Sequence, residues 1–142
     1  MQDCTRFLSL LYTPVTLEGE VVRGKRLGRE LGFPTANISL PKALPVSYGI
    51  YASRVSVGTD SYIAVTNVGT RPTVEGDIAN AESYLVDFRG DLYGKTIRVV
   101  LYAKLREETR FGSISELRDA ISGDVRAAVH FFENCDIEDS HK

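Results

Sequence analysis

The chain contains no tryptophan, one methionine, two cysteines and two histidines among its 142 residues. His130 and His141 are too few to build a zinc site, and Cys4 and Cys135 lie near opposite ends with no metal-ligand or redox spacing around them. That scarcity excludes zinc chemistry and a disulfide-framed scaffold; the two cysteines read most simply as free cytosolic thiols. Long apolar runs are also missing. Phe7-Leu8-Ser9-Leu10-Leu11-Tyr12 is too short to span a bilayer, and Met1-Gln2-Asp3 supplies no basic region for a signal peptide, so a cytoplasmic location is expected. Nor is there an excess of positive charge: 17 Lys and Arg against 19 Asp and Glu leave a net charge of −2, which argues against a nucleic-acid partner.

What is present suits one domain with a real core. Residues 16–23 read as a first strand, with Leu17 and Val21 on one face and Glu18, Glu20 and Val22 on the other. The segment before it, residues 1–14, reads as a lead-in that packs onto the body of the domain. Residues 49–57 alternate as a half-buried strand, and Gly58-Thr59-Asp60 turns the chain into a partner at 61–68. Residues 70–81 contain Pro72, Gly76 and Asp77 and predict a long polar loop. Strands at 82–88 and 96–105 follow, the second with Ile97, Val99, Leu101, Ala103 and Leu105 on one face. Strands at this spacing predict an antiparallel barrel, whose closure leaves no exposed edge. Ser113 and Glu116 then form a capping box ahead of Ile114, Leu117 and Ile121. Gly123 predicts a break, after which Asp124 caps a second segment carrying Val125, Ala128, Val129 and Phe132 on one face. A domain over 15–134 with a polar tail at 135–142 follows.

The segment richest in chemical meaning runs from Gly24 to Asn37. Gly24, Gly28 and Gly32 recur every four residues among Lys25, Arg26 and Arg29, and Pro34-Thr35-Ala36-Asn37 ends the run. Glycines admit close approach of a phosphate to backbone N–H groups, and the basic residues add the charge a polyphosphate needs. Thr35 and Asn37, two apart, place side-chain oxygens on one side of an extended segment. Such oxygens suit Mg²⁺, which takes few protein ligands and completes its shell with phosphate and water. The segment is neither a P-loop nor a dinucleotide fingerprint. On spacing alone, a surface turn with solvated charges is the more ordinary reading.

The order of motifs goes further. Gly19-x-Val21-x-x-Gly24 followed by Gly28-Arg29-x-Leu31-Gly32-Phe33-Pro34-Thr35-Ala36-Asn37 resembles the signature of the riboflavin kinase family. Gly49-Ile50-Tyr51-Ala52, Asn67-Val68-Gly69-x-Arg71-Pro72-Thr73, Glu82-x-Tyr84-x-x-Asp87-Phe88, Leu92-Tyr93-Gly94 and Leu105-Arg106-x-Glu108-x-x-Phe111 continue that pattern in order. The resemblance covers roughly residues 15 to 132.

It implies a closed, six-stranded, Greek-key-like antiparallel β-barrel with a C-terminal helical segment. The implied activity is transfer of the ATP γ-phosphoryl group to riboflavin, giving FMN and ADP with Mg²⁺. Glu82 matches the family's catalytic glutamate, and Thr35 and Asn37 match its Mg²⁺ ligands. Leu17, Arg23, Gly24, Lys25, Arg29, Pro34 and Tyr93 fall to the ATP side. Asn67, Arg71, Arg106 and Phe111 fall to the riboflavin or FMN side, where an aromatic or guanidinium face suits stacking against the isoalloxazine ring. Tyr93 also reads as a barrel-rim aromatic, and Phe111 as a hydrophobic staple ahead of Ser113. Tyr84 stands where the family often carries His. Gly24–Gly32 and 70–81 are expected to act as flaps. Bacterial members are often fused to an FMN adenylyltransferase domain, and residues 7–24 resemble that junction. The rival reading is a non-catalytic flavin- or nucleotide-binding barrel.

Overall fold

A computed structural model describes residues 9–22, 34–41, 46–74 and 76–134, with backbone alone for 9–13 and 71–73. Among the described residues there are six strands, β1 (Ser9–Glu20), β2 (Ala36–Ser39), β3 (Gly49–Val57), β4 (Asp60–Thr73), β5 (Gly76–Leu85) and β6 (Thr96–Arg106). One helix, α1 (Ile114–Asn134), follows them. All pairings are antiparallel, in the order β1-β6-β3-β4-β5-β2.

The sheet curls into an open half-barrel, which corrects the expectation of a closed barrel. Among the described residues its two edges, β1 and β2, share no ladder: they approach near Gly19 and Ile38, and just past β1 one isolated bridge forms, in which Val22 N–H donates to the carbonyl of Asn37 at 2.8 Å. The reason lies in β2, whose four residues are too few to pair along the length of a twelve-residue β1. Pro34 and Pro41, just outside it, cannot donate to an extended ladder.

The concave side of the curl holds the main core, built from Leu17, Ile38, Tyr51, Val55, Val68, Ile97, Val99 and Leu101 among others. Three hydroxyls are fully enclosed there: Ser53 bonds Thr66 at 2.7 Å, and Thr66 bonds Ser83 at 2.8 Å. Each is buried beside a partner, which avoids the cost of an unpaired polar group. A second core lies under α1, where Ile50, Ala52, Val65, Tyr102 and Ala103 pack against Ala128 and Phe131.

Several boundaries differ from the sequence expectation. The first strand begins at Ser9, so part of the predicted lead-in pairs with β6 through Ser9–Lys104 and Leu10–Ala103. Residues 70–81 form no loop: β4 runs to Thr73 and pairs with β5 down to Thr73–Gly76, making a long hairpin. Past Val68 the β3 ladder has ended, so Pro72 sits where β4 has a partner on one side only. Thr70, Val74, Gly76 and Asp77 are exposed in this hairpin, which suits its polar composition.

In β6, Tyr102 has no partner in the β3 register, which steps from Ala52–Ala103 to Ser53–Leu101. This bulge turns the following residues over. Ile97, Val99 and Leu101 therefore face the concave core, while Ala103 and Leu105 pack under the helix instead of sharing their face.

The capping box forms, with Glu116 N–H donating to Ser113 Oγ at 3.1 Å and Gly112 N–H donating to Glu116 Oε1 at 2.9 Å. Gly123 does not break the helix, which continues through it as one 21-residue element. Asp124 is accordingly no cap. It is a buried mid-helix residue whose carboxylate pairs with Arg106.

Candidate active site

The short strand β2 and the middle of β5 carry the central side chains. Asn37 pairs with Glu82, Glu82 with Asn67, Asn67 with Ile50, and Ile50 with Arg106. Directly opposed residues share a face. Asn37, Glu82, Asn67 and Arg106 thus form one line across the convex face, the face on which α1 packs beside Ile50.

Two hydrogen bonds tie β2 to β5 within that line. Thr35 Oγ1 donates to Glu82 Oε2 at 2.6 Å, and Asn80 Nδ2 donates to Asn37 Oδ1 at 2.9 Å. Residues 35 and 37 on one side, and 80 and 82 on the other, are each two apart and therefore project together. Asn37 and Asn80 are 4% and 6% exposed, whereas Thr35 and Glu82 are half-buried.

This donor set fits Mg²⁺. Thr35 spends its proton on Glu82 and keeps its lone pairs, while Asn37 Oδ1 takes one bond from Asn80 and keeps a second lone pair. Neither ligand is charged, and no group of three or more His, Cys, Asp or Glu side chains among the described residues is placed to hold a metal. Such a site depends on phosphate to complete the shell.

Backbone bonds bring other segments expected to face the nucleotide to the same place. Val21 N–H donates to the Lys95 carbonyl at 2.8 Å, and Gly94 N–H donates to the Val21 carbonyl at 2.9 Å. The turn holding Tyr93 is therefore fastened to Val21, and Val22 is fastened to Asn37. Tyr93 is 52% exposed at that rim, with its N–H bonded to Asp91 Oδ1 at 2.9 Å. Pro34 is exposed one residue before Thr35. Leu17, 6% exposed, packs in the concave core opposite Val99, so its side chain serves packing. Arg23, Gly24, Lys25 and Arg29 lie outside the described residues, as does the Gly24–Gly32 flap.

Of the residues expected on the flavin side, Asn67 has a buried Oδ1 with no partner among the described residues. Two residues further along β4, Gly69 shares its face, and a Cβ built there would run into the Glu108 carboxylate. Arg71 is in β4 opposite Ile78, and its side chain is outside the described set. Arg106 and Phe111 come together, the guanidinium lying 5.5 Å from the ring centroid. Arg106 is also held by Asp124, with Nε to Oδ1 at 2.9 Å and Nη2 to Oδ2 at 2.8 Å, and it donates to the Glu107 carbonyl at 3.1 Å. Its Nε and Nη2 edge is thus committed to the helix, while the ring of Phe111 lies near its charge.

Two participants were not singled out by sequence reasoning. Asn80 lies two residues before Glu82 on the same strand face, a period-two signal hidden by the expectation of a loop through 81. Asp124 was hidden by the predicted helix break at Gly123.

With this geometry in place, comparison with known proteins is decisive. The family model described as riboflavin kinase matches residues 11–132. The chain belongs to the riboflavin kinase family. It is 45% identical over 120 residues to a bifunctional riboflavin kinase/FMN adenylyltransferase of Pseudomonas fluorescens, a match covering 84% of this chain and 39% of that protein. Among solved structures, riboflavin kinase from Trypanosoma brucei matches with a TM-score of 0.62 and 27% identity, covering 87% of this chain and 83% of that one. A Streptococcus pneumoniae chain described as a macrolide-efflux protein matches with a TM-score of 0.74 and 32% identity, covering 82% of this chain and 39% of that one. Among the described residues here, no helix is long and apolar enough to cross a membrane. The chain spans about two-fifths of the length of the curated relatives it matches.

Proposed function

We propose that this chain is a riboflavin kinase module, transferring the γ-phosphoryl group of ATP to the 5′-hydroxyl of riboflavin. The observation that carries the proposal is the 2.6 Å bond from Thr35 to Glu82, with Asn37 opposed to the same glutamate. It puts a carboxylate base beside the two neutral oxygens suited to Mg²⁺. Bound there with the nucleotide, Mg²⁺ supplies neutralisation of charge on the phosphate oxygens.

Phosphoryl transfer asks little covalent chemistry of a protein. It needs the hydroxyl in line with the γ-phosphorus and somewhere for the proton to go. Thr35 fixes one oxygen of Glu82, so Oε1 remains to accept the riboflavin hydroxyl proton. As the hydroxyl oxygen bonds to phosphorus, the bond to the β–γ bridging oxygen breaks and ADP leaves; the proton stays on Glu82. Tyr93, exposed at the rim, is assigned to the nucleotide by its place in the family motif. Asn67 and Arg106 continue the line toward the flavin, and Phe111, beside Arg106, adds a ring to a stacking surface there. Arg23, Gly24, Lys25 and Arg29 are assigned to the phosphates by their place in the family motif.

The Pseudomonas fluorescens relative is described as bifunctional; kinase chemistry alone is proposed for these residues. The rival reading, a binding barrel without catalysis, gives the Thr35–Glu82 bond only the task of tying β2 to β5. Incubation with ATP, Mg²⁺ and riboflavin, followed by chromatography, tests the choice. FMN formed in proportion to ADP supports the kinase, and riboflavin binding without FMN supports the rival.

A further inference from the structure

We infer that Asn80 is a positioning residue that sets which amide atom Asn37 presents to the nucleotide-bound cation. The inference rests on the metal assignment of Asn37 made above. An asparagine amide has two ends of nearly equal shape and opposite chemistry: the oxygen can ligate Mg²⁺ and the NH₂ cannot. Nothing in the backbone of β2 chooses between them. The choice is made by the neighbour on β5, since Asn80 Nδ2 donates to Asn37 Oδ1 at 2.9 Å.

Burial gives that bond its leverage. Asn37 and Asn80 are 4% and 6% exposed, so water is poorly placed to substitute for a lost partner. A buried amide turns to whatever partner remains, because an unmade bond carries the full desolvation cost. With Asn80 donating, the Asn37 oxygen is held on the β5 side, near Glu82 and Thr35, with one lone pair left over. Without that donor, the amide can present either end, and the fraction with nitrogen forward contributes no ligand. Asn80 also reaches the site from the same strand face as Glu82, two residues away, so one strand orients both Asn37 and the catalytic carboxylate's surroundings.

The test is isothermal titration of ADP with and without Mg²⁺, on wild type, Asn37→Ala, Asn80→Leu and the double variant. The readout is the gain in ADP affinity that Mg²⁺ confers. Asn80→Leu keeps the approximate shape and removes the donor. It should reduce the gain roughly three- to tenfold, the worth of one buried hydrogen bond, while ADP affinity in the absence of Mg²⁺ stays near wild type. Adding Asn80→Leu to Asn37→Ala should change the gain no further, because the effect passes through Asn37. Asn80→Ser, polar but too short to reach Asn37, gives the same loss and covers the case in which leucine prevents folding. A full Mg²⁺ gain in the Asn80 variants, alongside its loss in Asn37→Ala, would overturn the positioning role alone. A full gain in Asn37→Ala would overturn the metal assignment, and this inference with it.

Discussion

Thr35 and Glu82, 47 residues apart in the chain, meet through a 2.6 Å hydrogen bond in which the hydroxyl donates to Oε2. The bond joins the end of the glycine-rich motif to the proposed base. On the proposed reading Thr35 has two tasks, holding the carboxylate and offering its lone pairs to a cation. Thr35→Val removes the hydroxyl at nearly constant shape. A hydrogen bond to a charged group contributes about 1.5–3 kcal/mol, so FMN formation should slow by roughly 10- to 100-fold. Thr35→Ser, which keeps the oxygen, should restore most of the rate. Steady-state turnover of the two variants decides this.

Metal binding should depend on nucleotide. Two neutral oxygens and no three-residue cluster of His, Cys, Asp or Glu among the described residues give Mg²⁺ little hold. Calorimetric titration with Mg²⁺ alone should show negligible heat, and ADP should make binding measurable. Tight nucleotide-independent binding that Asn37→Ala abolishes would contradict the proposed ligand pair.

The Arg106–Asp124 pair fastens the end of β6 to the middle of α1 through two parallel hydrogen bonds. Lysine cannot reproduce that fork. Arg106→Lys and Asp124→Asn should each lower stability by about 1–3 kcal/mol, measured by urea unfolding, with partial solvent access to Arg106 keeping the cost at the lower end. The double variant should cost much less than the sum, since both remove one interaction.

Gly123 lies inside α1 with helical geometry, and a Cβ there would meet Arg126 Nη2 at 3.7 Å, an ordinary contact. Gly123→Ala should raise stability by about 0.5–1 kcal/mol through reduced freedom of the unfolded chain. A higher thermal midpoint with unchanged turnover is the expected outcome.

Much of the fold was legible because period-two burial marks the first half of β6 clearly, and Ser113 with Glu116 marks the helix start, whereas β3 is buried on both faces over residues 49–53. Misreadings have local physical causes. A bulge at Tyr102 shifts which face Ala103 and Leu105 occupy, and no residue type announces a bulge. Residues 70–81 look like a loop because a hairpin paired on one side needs no apolar face. Gly123 looks like a break because its propensity cost is visible in the chain, whereas the burial of Asp124, Ala128 and Phe131 that outweighs it is not. Barrel closure failed for a similar reason: strand length at β2 is set by flanking prolines, and its consequence for pairing appears only in three dimensions. Within the site, ordered motifs pointed to Glu82, Thr35 and Asn37. Asn80 and Asp124 act through partners distant in sequence, so only the folded chain reveals them.

The central claim is that Glu82 accepts the proton of the riboflavin hydroxyl. Glu82→Gln keeps the shape and the ability to accept a bond from Thr35, but it cannot take that proton. The direct measurement is the rate of FMN formation from riboflavin and Mg·ATP by this variant and by wild type, with ligand affinities and thermal midpoint recorded alongside. The rate should fall by about 10²–10⁴-fold, while the dissociation constants and the midpoint change little. Near-wild-type turnover in a folded Glu82→Gln variant would contradict the account.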